Sequence, residues 1–383
     1  MATRLRRSAD NLFDLLADLT LIRITNTYYY RILITDLRII AYRLLKSPLP
    51  VRPTQKDIAK LAQVSQATVS LVLNGISDGS VPPVTQRKVL RAAKNLGYVP
   101  NRVAQSLRTR QTKTIACIVP DITNPFYPAL ERGAQKSAES NGYDVLIYNT
   151  DGLPAKERKC LDRLLEGRVD GVIGVFFHLN ARDLRPLLER KIAVVRIEAN
   201  PKKTGPWPLD NLYVNNAEGA KAGTEHLIEL GHRRIAMIAG TGGPERNRIS
   251  GYLQALDEAG LKPQLVSRGG FNEESGYRLT KQILSARTRP TAIFAGNDLM
   301  AFGAMTAIRE AKLTIPEDIA LMGFDDIFAA RFVTPPLSTI SQFQYELGRV
   351  ASEMVLERIN QLPPETAGRQ REMPFEVIKR QSV

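Results

Sequence analysis

From Thr114 to Gly323, short continuous apolar runs alternate with segments of helical period, and this restricts the fold more than any other feature of the chain. The runs are Ile115–Val119, Val145–Tyr148, Gly171–Val175, Ala193–Ile197, Ile235–Ala239, Ala292–Ala295 and Ile319–Gly323. Helical patterns lie between them, among them Tyr127–Asn141, Glu218–Leu230, Gly251–Ala259, Ser275–Ser285 and Leu299–Ala311. Strands that are apolar throughout are covered on both faces, and intervening helices make them parallel. Seven such strands fit two doubly wound lobes better than one. A chain of 383 residues is long enough for two or three domains with sizeable cores.

Upstream, Pro53–Gly75 reads PTQKDIAKLAQVSQATVSLVLNG. Ile58, Ala59 and Leu61–Ala62 form one apolar stretch; Val69, Val72 and Leu73 form another. The break at Gln63-Val64-Ser65 fits only two helices meeting steeply, a helix-turn-helix. Ser65 is placed to cap the second helix, which turns Gln66, Ala67 and Ser70 outward toward base edges. An ordinary corner between two helices has the same pattern, but the charge distribution favours nucleic acid. Residues 53–113 carry ten Lys/Arg against two Asp/Glu, while residues 114–383 carry 34 against 33. A basic head on a neutral body is the electrostatic footprint of a DNA-binding protein. A third helix is expected over Thr85–Leu96. Val84 would lead into it, Val89, Leu90, Ala93 and Leu96 would share a face, and Gly97 would stop it.

Residues 1–52 mix Leu and Ile with Arg and Asp in every apolar run. They read as a poorly ordered extension or a mis-assigned start rather than an added functional module; a membrane-surface helix is the weaker alternative. Cys117 and Cys160 sit in apolar or helical patterns and read as reduced core thiols. His178, His226 and His232 lack metal-ligand spacing and read as surface or loop histidines. No signal peptide or long uncharged apolar run is visible, so a cytoplasmic protein without a membrane partner is expected. Neither a nucleophile–base pair nor a metal cluster is evident. Gly240-Thr241-Gly242-Gly243 is similar to a phosphate-cradling loop but lacks G-K-[ST] and the dinucleotide fingerprint. No cofactor is expected.

Two motifs carry a resemblance to the LacI/GalR family of bacterial transcription regulators. The first is Asp57-Ile58-Ala59, Ala62, Val64-Ser65, Thr68-Val69-Ser70 and Val72-Leu73-Asn74; the second is Gly97-Tyr98, Pro100-Asn101, Ala104 and Leu107. The resemblance continues to about residue 380 and leaves out only residues 1–52. It implies a small all-α helix-turn-helix DNA-binding head on an α/β periplasmic-binding-protein-like body of two doubly wound lobes. The implied parts are a DNA-binding domain at 53–99, a hinge helix and linker at 100–113, and an effector-binding and dimerisation domain at 114–383. Chain crossovers are implied near 213 and 340, with a last strand over Phe375–Lys379. DNA contacts are implied at Thr54, Ser65, Gln66, Ala67, Thr68, Ser70, Leu71, Asn74, Asn101, Arg102, Ala104 and Leu107. Leu71 departs from the arginine that family members often carry. Leu107 matches a leucine that in the family wedges into the minor groove.

In open α/β lobes ligands bind beyond the carboxyl ends of strands. There this chain places Asp121, Asn124, Phe126, Tyr127, Glu198, Arg246, Arg248, Asn297, Asp298, Asp325 and Asp326. Carboxylates and amides take hydroxyls, arginine donates in a fork, and aromatic faces stack on sugar rings. The resemblance maps effector contacts onto Phe126, Tyr127, Glu198, Arg248, Phe271, Asn297 and Asp325. Asn297, Asp298 and Asp325 could instead cap helices, and Phe126, Tyr127 and Phe271 could pack the lobes. Phe271–Tyr277 also resembles the purine repressor, so a purine stays beside a sugar as effector. The expectation is a homodimeric, ligand-responsive repressor on palindromic operator DNA, not an enzyme. The rival is a soluble sugar-binding protein or sugar-processing enzyme with an incidental basic head.

Overall fold

The computed structural model describes residues 53–75, 80–100, 106, 109, 111–201 and 206–383. The extension expected over 1–52 and the contacts expected at Asn101, Arg102, Ala104 and Leu107 lie outside these residues. The chain divides into two units, one ending at Asn101 and one running from Arg102 to Val383.

The described residues of the first unit form three helices, α1 (Gln55–Ala62), α2 (Gln66–Leu73) and α3 (Pro83–Asn95). Gln63, in left-handed backbone, ends α1, and the Ser65 hydroxyl starts α2 by accepting the Thr68 N–H at 3.1 Å. Ile58, Val69 and Val89, one from each helix, are fully buried and form the centre of the core. Two sequence expectations fail here. α3 starts at Pro83 rather than Thr85, because Pro82 and Pro83 set φ for a first helical turn that needs no N–H. Val84 and Leu90 are exposed, and Ala92 takes the buried place with Val89 and Ala93.

The second unit has two lobes. In the first, six parallel strands run in the order β11-β5-β4-β3-β1-β2. These are β1 (Thr114–Val119), β2 (Asp144–Asn149), β3 (Gly171–Gly174), β4 (Ala193–Glu198), β5 (Leu209–Val214) and β11 (Gln370–Met373). Its helices are α4 (Phe126–Ser140), α5 (Pro154–Leu164), α6 (Arg185–Glu189) and α11 (Gln344–Asn360). The second lobe has parallel strands β6 (Ile235–Ala239), β7 (Gln264–Ser267), β8 (Ala292–Ala295) and β9 (Ala320–Met322), in the order β7-β6-β8-β9. Around them lie α7 (Asn216–Glu229), α8 (Glu245–Glu258), α9 (Glu273–Leu284) and α10 (Asp298–Glu310). An antiparallel pair, β10 (Thr339–Ser341) with β12 (Glu376–Ile378), completes it. The chain passes between lobes after β5, between β10 and α11, and between β11 and β12.

β2 corrects the expectation of strands buried on both faces. It is the sheet's outer edge, and Leu146 and Ile147 are 41% and 48% exposed. His226 is also corrected: it is buried on α7 rather than in a loop, with Glu229 at 3.6 Å. Cys117 and Cys160 are buried free thiols, and burial pushes Cys160 up to about 12.

Glu131, on α4, is 6% exposed and its Oε1 has no hydrogen-bond partner. Burial pushes its carboxyl up to about 7. The native state thus holds this proton more tightly than the unfolded chain. Stability is fully present below the unfolded value of 4.5 and is lost as pH rises through about 7. Glu131→Gln removes that loss. At pH 8 it should stabilise the body by about 1–2 kcal/mol, with no gain at pH 4. Melting curves at the two pH values check this.

Candidate functional site

The carboxyl ends of both sheets face one cavity of about 580 Å³. Phe126, Tyr127, Glu198, Arg248, Phe271, Asn297 and Asp325 all line it. Phe126 and Tyr127 open α4 beyond β1 and meet edge to face, with ring centroids 5.1 Å apart. Glu198 closes β4 and lies 3.5 Å from Arg196, whose Nε donates to Asn211.

Arg248, on α8, is the centre of a buried network. Its Nε donates to Asn216 Oδ1 at 2.8 Å, Nη1 to the Gly296 carbonyl, and Nη2 to Asp325 Oδ1 at 3.1 Å. The guanidinium lies over the Phe324 ring, 3.8 Å from its centroid. Asp325 Oδ1 also accepts from Gln342 Nε2 at 2.7 Å, which leaves Oδ2 for a ligand. Burial pushes the Asp325 carboxyl up to about 6 against the opposing pull of Arg248 and Gln342. Asp325 and Asp326 both have positive φ, 121° and 56°, a strained conformation held by the surrounding bonds. Asp325 N–H donates to the Ile340 carbonyl, and its own carbonyl accepts from Gln344.

The alternatives of cap and cavity wall resolve differently at each residue. Asn297 is both: it caps α10 by accepting Met300 N–H at 2.9 Å, and its amide donates to the Phe271 carbonyl at 3.2 Å. Asp298 lines nothing. It is fully buried, accepting from Thr339 Oγ1 at 2.6 Å and Ile327 N–H at 2.8 Å. Asp326 is turned away to Arg380. The sequence reading missed Asn216 and Gln342, which hold the two ends of the Arg248–Asp325 pair, and Phe176, Phe177, Asn200 and Asn247, which line the cavity.

In the head, the exposed start of α2 presents Gln66 and Ala67. Ser65 and Thr68 are bonded to each other at 2.9 Å, and Asn74 caps the end of α2 by donating to Ser70. Leu71 is half-buried against the head's core. Thr54 donates to Asp57 through both its N–H and its hydroxyl. Among the described residues no group of His, Cys, Asp and Glu is placed to hold a metal, and no helix is long and apolar enough to cross a membrane.

A helix-turn-helix unit followed by two parallel-sheet lobes around a polar cavity defines a class: regulators that read DNA with one part and a small molecule with the other. Residues 54–101 match the family of bacterial regulatory proteins, lacI family, and residues 224–383 match the periplasmic binding protein-like domain. The ribose operon repressor of Escherichia coli K12 is 38% identical over 314 residues, covering 80% of this chain and 93% of that one. The HTH-type transcriptional repressor PurR of Pasteurella multocida is 37% identical over 339 residues, covering 86% and 98%. A lac repressor dimer bound to operator and the anti-inducer ONPF is 28% identical with a TM-score of 0.76, covering 87% and 99%. A LacI family transcriptional regulator from Enterococcus faecium with bound ribose is 29% identical with a TM-score of 0.63, covering 70% and 98%. The chain belongs to the lacI family of bacterial regulatory proteins. It is a DNA-binding, ligand-responsive transcription regulator and not an enzyme.

Proposed function

We propose that this chain represses transcription as a homodimer on a palindromic operator, and that its effector is a compact, uncharged polyhydroxylated molecule, a monosaccharide, held between the lobes. The observation that carries the effector class is the Arg248 network. Three of its five N–H donors go to Asn216, Gly296 and Asp325, and Asp325 balances its charge, so the buried arginine suits neutral hydroxyls better than a phosphate. Asp121, Glu198 and Asp325 bring acceptors for hydroxyls, and Phe126, Phe177 and Phe271 bring aromatic faces. A ribose operon repressor and a ribose-bound regulator among the relatives point the same way. A purine effector draws on the PurR relatives and on Phe271–Tyr277. Of that segment only Phe271 and Asn272 line the cavity, and Tyr277 bonds Glu310 instead.

A thermal-shift series on the full chain tests the class. D-ribose, or another neutral monosaccharide in the series, should raise the melting midpoint, with ribose 5-phosphate and hypoxanthine silent. At a hundred times Kd the gain is about 2.7 kcal/mol. A shift with hypoxanthine alone would overturn the sugar reading. Gel shifts on genomic fragments test the DNA half, because only a regulator selects particular fragments.

One head reads too few base pairs alone, and two-fold symmetry on a palindrome doubles them. We assign the main direct readout to Gln66 and Ala67, with Leu71 limited to an apolar contact. Gln66→Ala should cost about 1–3 kcal/mol on the operator and relax one base position. Site selection from random DNA checks this, and an unchanged preference would sink it. Residues 100–113 are read as the hinge helix that orders on DNA, with Leu107 as its wedge.

A further inference from the structure

We infer that Phe177 is the residue that closes the effector cavity across the two lobes, and that the buried carboxylate of Glu157 is the residue that positions it. Phe176 and Phe177 follow β3. Both line the cavity, but Phe176 is packed into the first lobe's core against Gly174, while Phe177 reaches Gly243 of the second lobe. The loop carrying Phe177 is anchored chiefly by Glu157. Glu157, on α5, is fully buried, and its two oxygens accept three successive backbone N–H groups. Oε1 takes Phe177 at 2.8 Å; Oε2 takes His178 and Leu179, each at 3.1 Å. A buried carboxylate that accepts three amides fixes a loop far more firmly than the loop's own side chains could. His178 adds a bond from its ring to the Gly152 carbonyl at 2.9 Å.

The ring so held sits between two glycines from different lobes. Gly152 follows β2 in the first lobe, and a Cβ there would lie 3.2 Å from the Phe177 ring. Gly243 ends the glycine-rich turn after β6 in the second lobe, and a Cβ there would lie 2.7 Å from the ring. Gly243 also has φ of 51°, which disfavours any side chain. The second lobe's turn therefore offers bare backbone where the first lobe's aromatic arrives, and with Gly152 behind it the ring has little room to yield. A second cross-lobe contact, Asn200 Nδ2 to Asn247 Oδ1 at 3.1 Å, lies on the same cavity wall. Separating the lobes would break both contacts, while the Arg248–Asp325 pair, lying wholly in the second lobe, would survive. The glycine turn, similar to a phosphate cradle in sequence, thus acts as the seat of an aromatic latch. Its Gly242 N–H is already taken by the Glu245 carboxylate.

The inference deepens the reading of this cavity as the effector site, but its test uses no effector, so a wrong effector class would not affect it. Spin labels are placed at exposed positions, Lys136→Cys on the first lobe and Gln254→Cys on the second, in the full chain diluted with unlabelled chain. Cys117 and Cys160 are buried. Pulsed electron resonance then reads the distance between lobes. Phe177→Ala and Gly243→Ala should each shift the distribution to longer distances. Combining them should add nothing to the Phe177→Ala shift, because the new Cβ at 243 acts by pushing on the Phe177 ring and has nothing to push once the ring is gone. Glu157→Gln should produce the same shift with Phe177 intact, since its amide cannot accept where Oε2 did. Unchanged distances in Phe177→Ala would overturn the inference. So would additive shifts in the double variant. If Glu157→Gln fails to fold, the Phe177 and Gly243 variants decide the latch. The positioning role is then decided by Glu157→Asp, whose shorter side chain should give a partial shift; no shift in it would overturn that role.

Discussion

Asp325→Ala should abolish the effector response while leaving operator binding intact. Asp325 Oδ1 holds Arg248 and Gln342, and its other oxygen is available to a ligand hydroxyl. Loss of a hydrogen bond from a charged acceptor costs about 1.5–3 kcal/mol, roughly 10- to 150-fold in effector affinity. The substitution also strands the Arg248 guanidinium, 4% exposed, without its counter-charge. Removing one partner of a buried pair costs about 3–5 kcal/mol, so the body should also melt earlier. Asp325→Asn keeps an acceptor oxygen and should separate the two losses. It should retain more stability than the alanine while still responding weakly. The wild-type response should in turn depend on pH. With the carboxyl at about 6, the acceptor is charged above that pH and protonated below it, so effector affinity falls as pH drops through about 6. The stability linkage has the opposite direction. A raised carboxyl contributes stability below the unfolded 3.8 that is lost as pH rises through about 6. Effector titrations of operator release at pH 5 and 7.5 measure the first effect. An Asp325→Ala protein that responds at the wild-type effector concentration would show that Asp325 is only a structural part of its turn.

The strands that were legible in the sequence are those whose interiors are purely apolar, and the missed ones show why. β5 reads LDNLYV, and its Asp210 and Asn211 break the apolar run although both are fully buried. Asp210 accepts from Arg358 and Arg369, and Asn211 accepts from Arg196. Burial there is sustained by partners that come from 15 to 159 residues away and leave no local trace. β7, β10 and β11 read QLVS, TIS and QREM, too polar to make an apolar run, whereas β3, β8 and β9 are no longer but apolar throughout. The missed cavity residues follow from this. Asn216 stands beyond β5 and Gln342 beyond β10, so the rule of looking past strand ends held while two strand ends were invisible. Asp298 failed the other way. It follows β8 as a ligand residue would, but Thr339 and Ile327, distant in sequence, turn it into the core.

Asp170→Ala should weaken operator binding while leaving effector binding unchanged, because Asp170 anchors the chain as it enters the body. Its Oδ1 accepts Thr112 N–H at 2.7 Å and the Thr112 hydroxyl at 2.9 Å, and its Oδ2 accepts Lys113 N–H at 2.8 Å. The next residue starts β1, and Asp170 donates its own N–H to the Thr114 carbonyl. The carboxylate therefore fixes the last two residues before the first strand of the lobe that carries the Phe126 and Tyr127 wall. Without it, two backbone N–H groups lose their acceptor and this segment frays. If operator binding orders the segment between head and body, as proposed, it must then order those residues again, at about 1–2 kcal/mol each. A net loss of about 2 kcal/mol is roughly 30-fold in operator affinity. Binding to random DNA should change little, since the head keeps every charge. Effector affinity should also hold, because Asp170 lies at the amino end of β3 and the cavity lies beyond the carboxyl ends. Asp170→Asn retains one acceptor and should fall between. Anisotropy titrations on operator and random duplexes, with a thermal-shift control, measure all three. Equal losses on both duplexes would mean that the head, not the anchor, was damaged, and an unchanged operator affinity would mean that the path between head and body is fixed without Asp170.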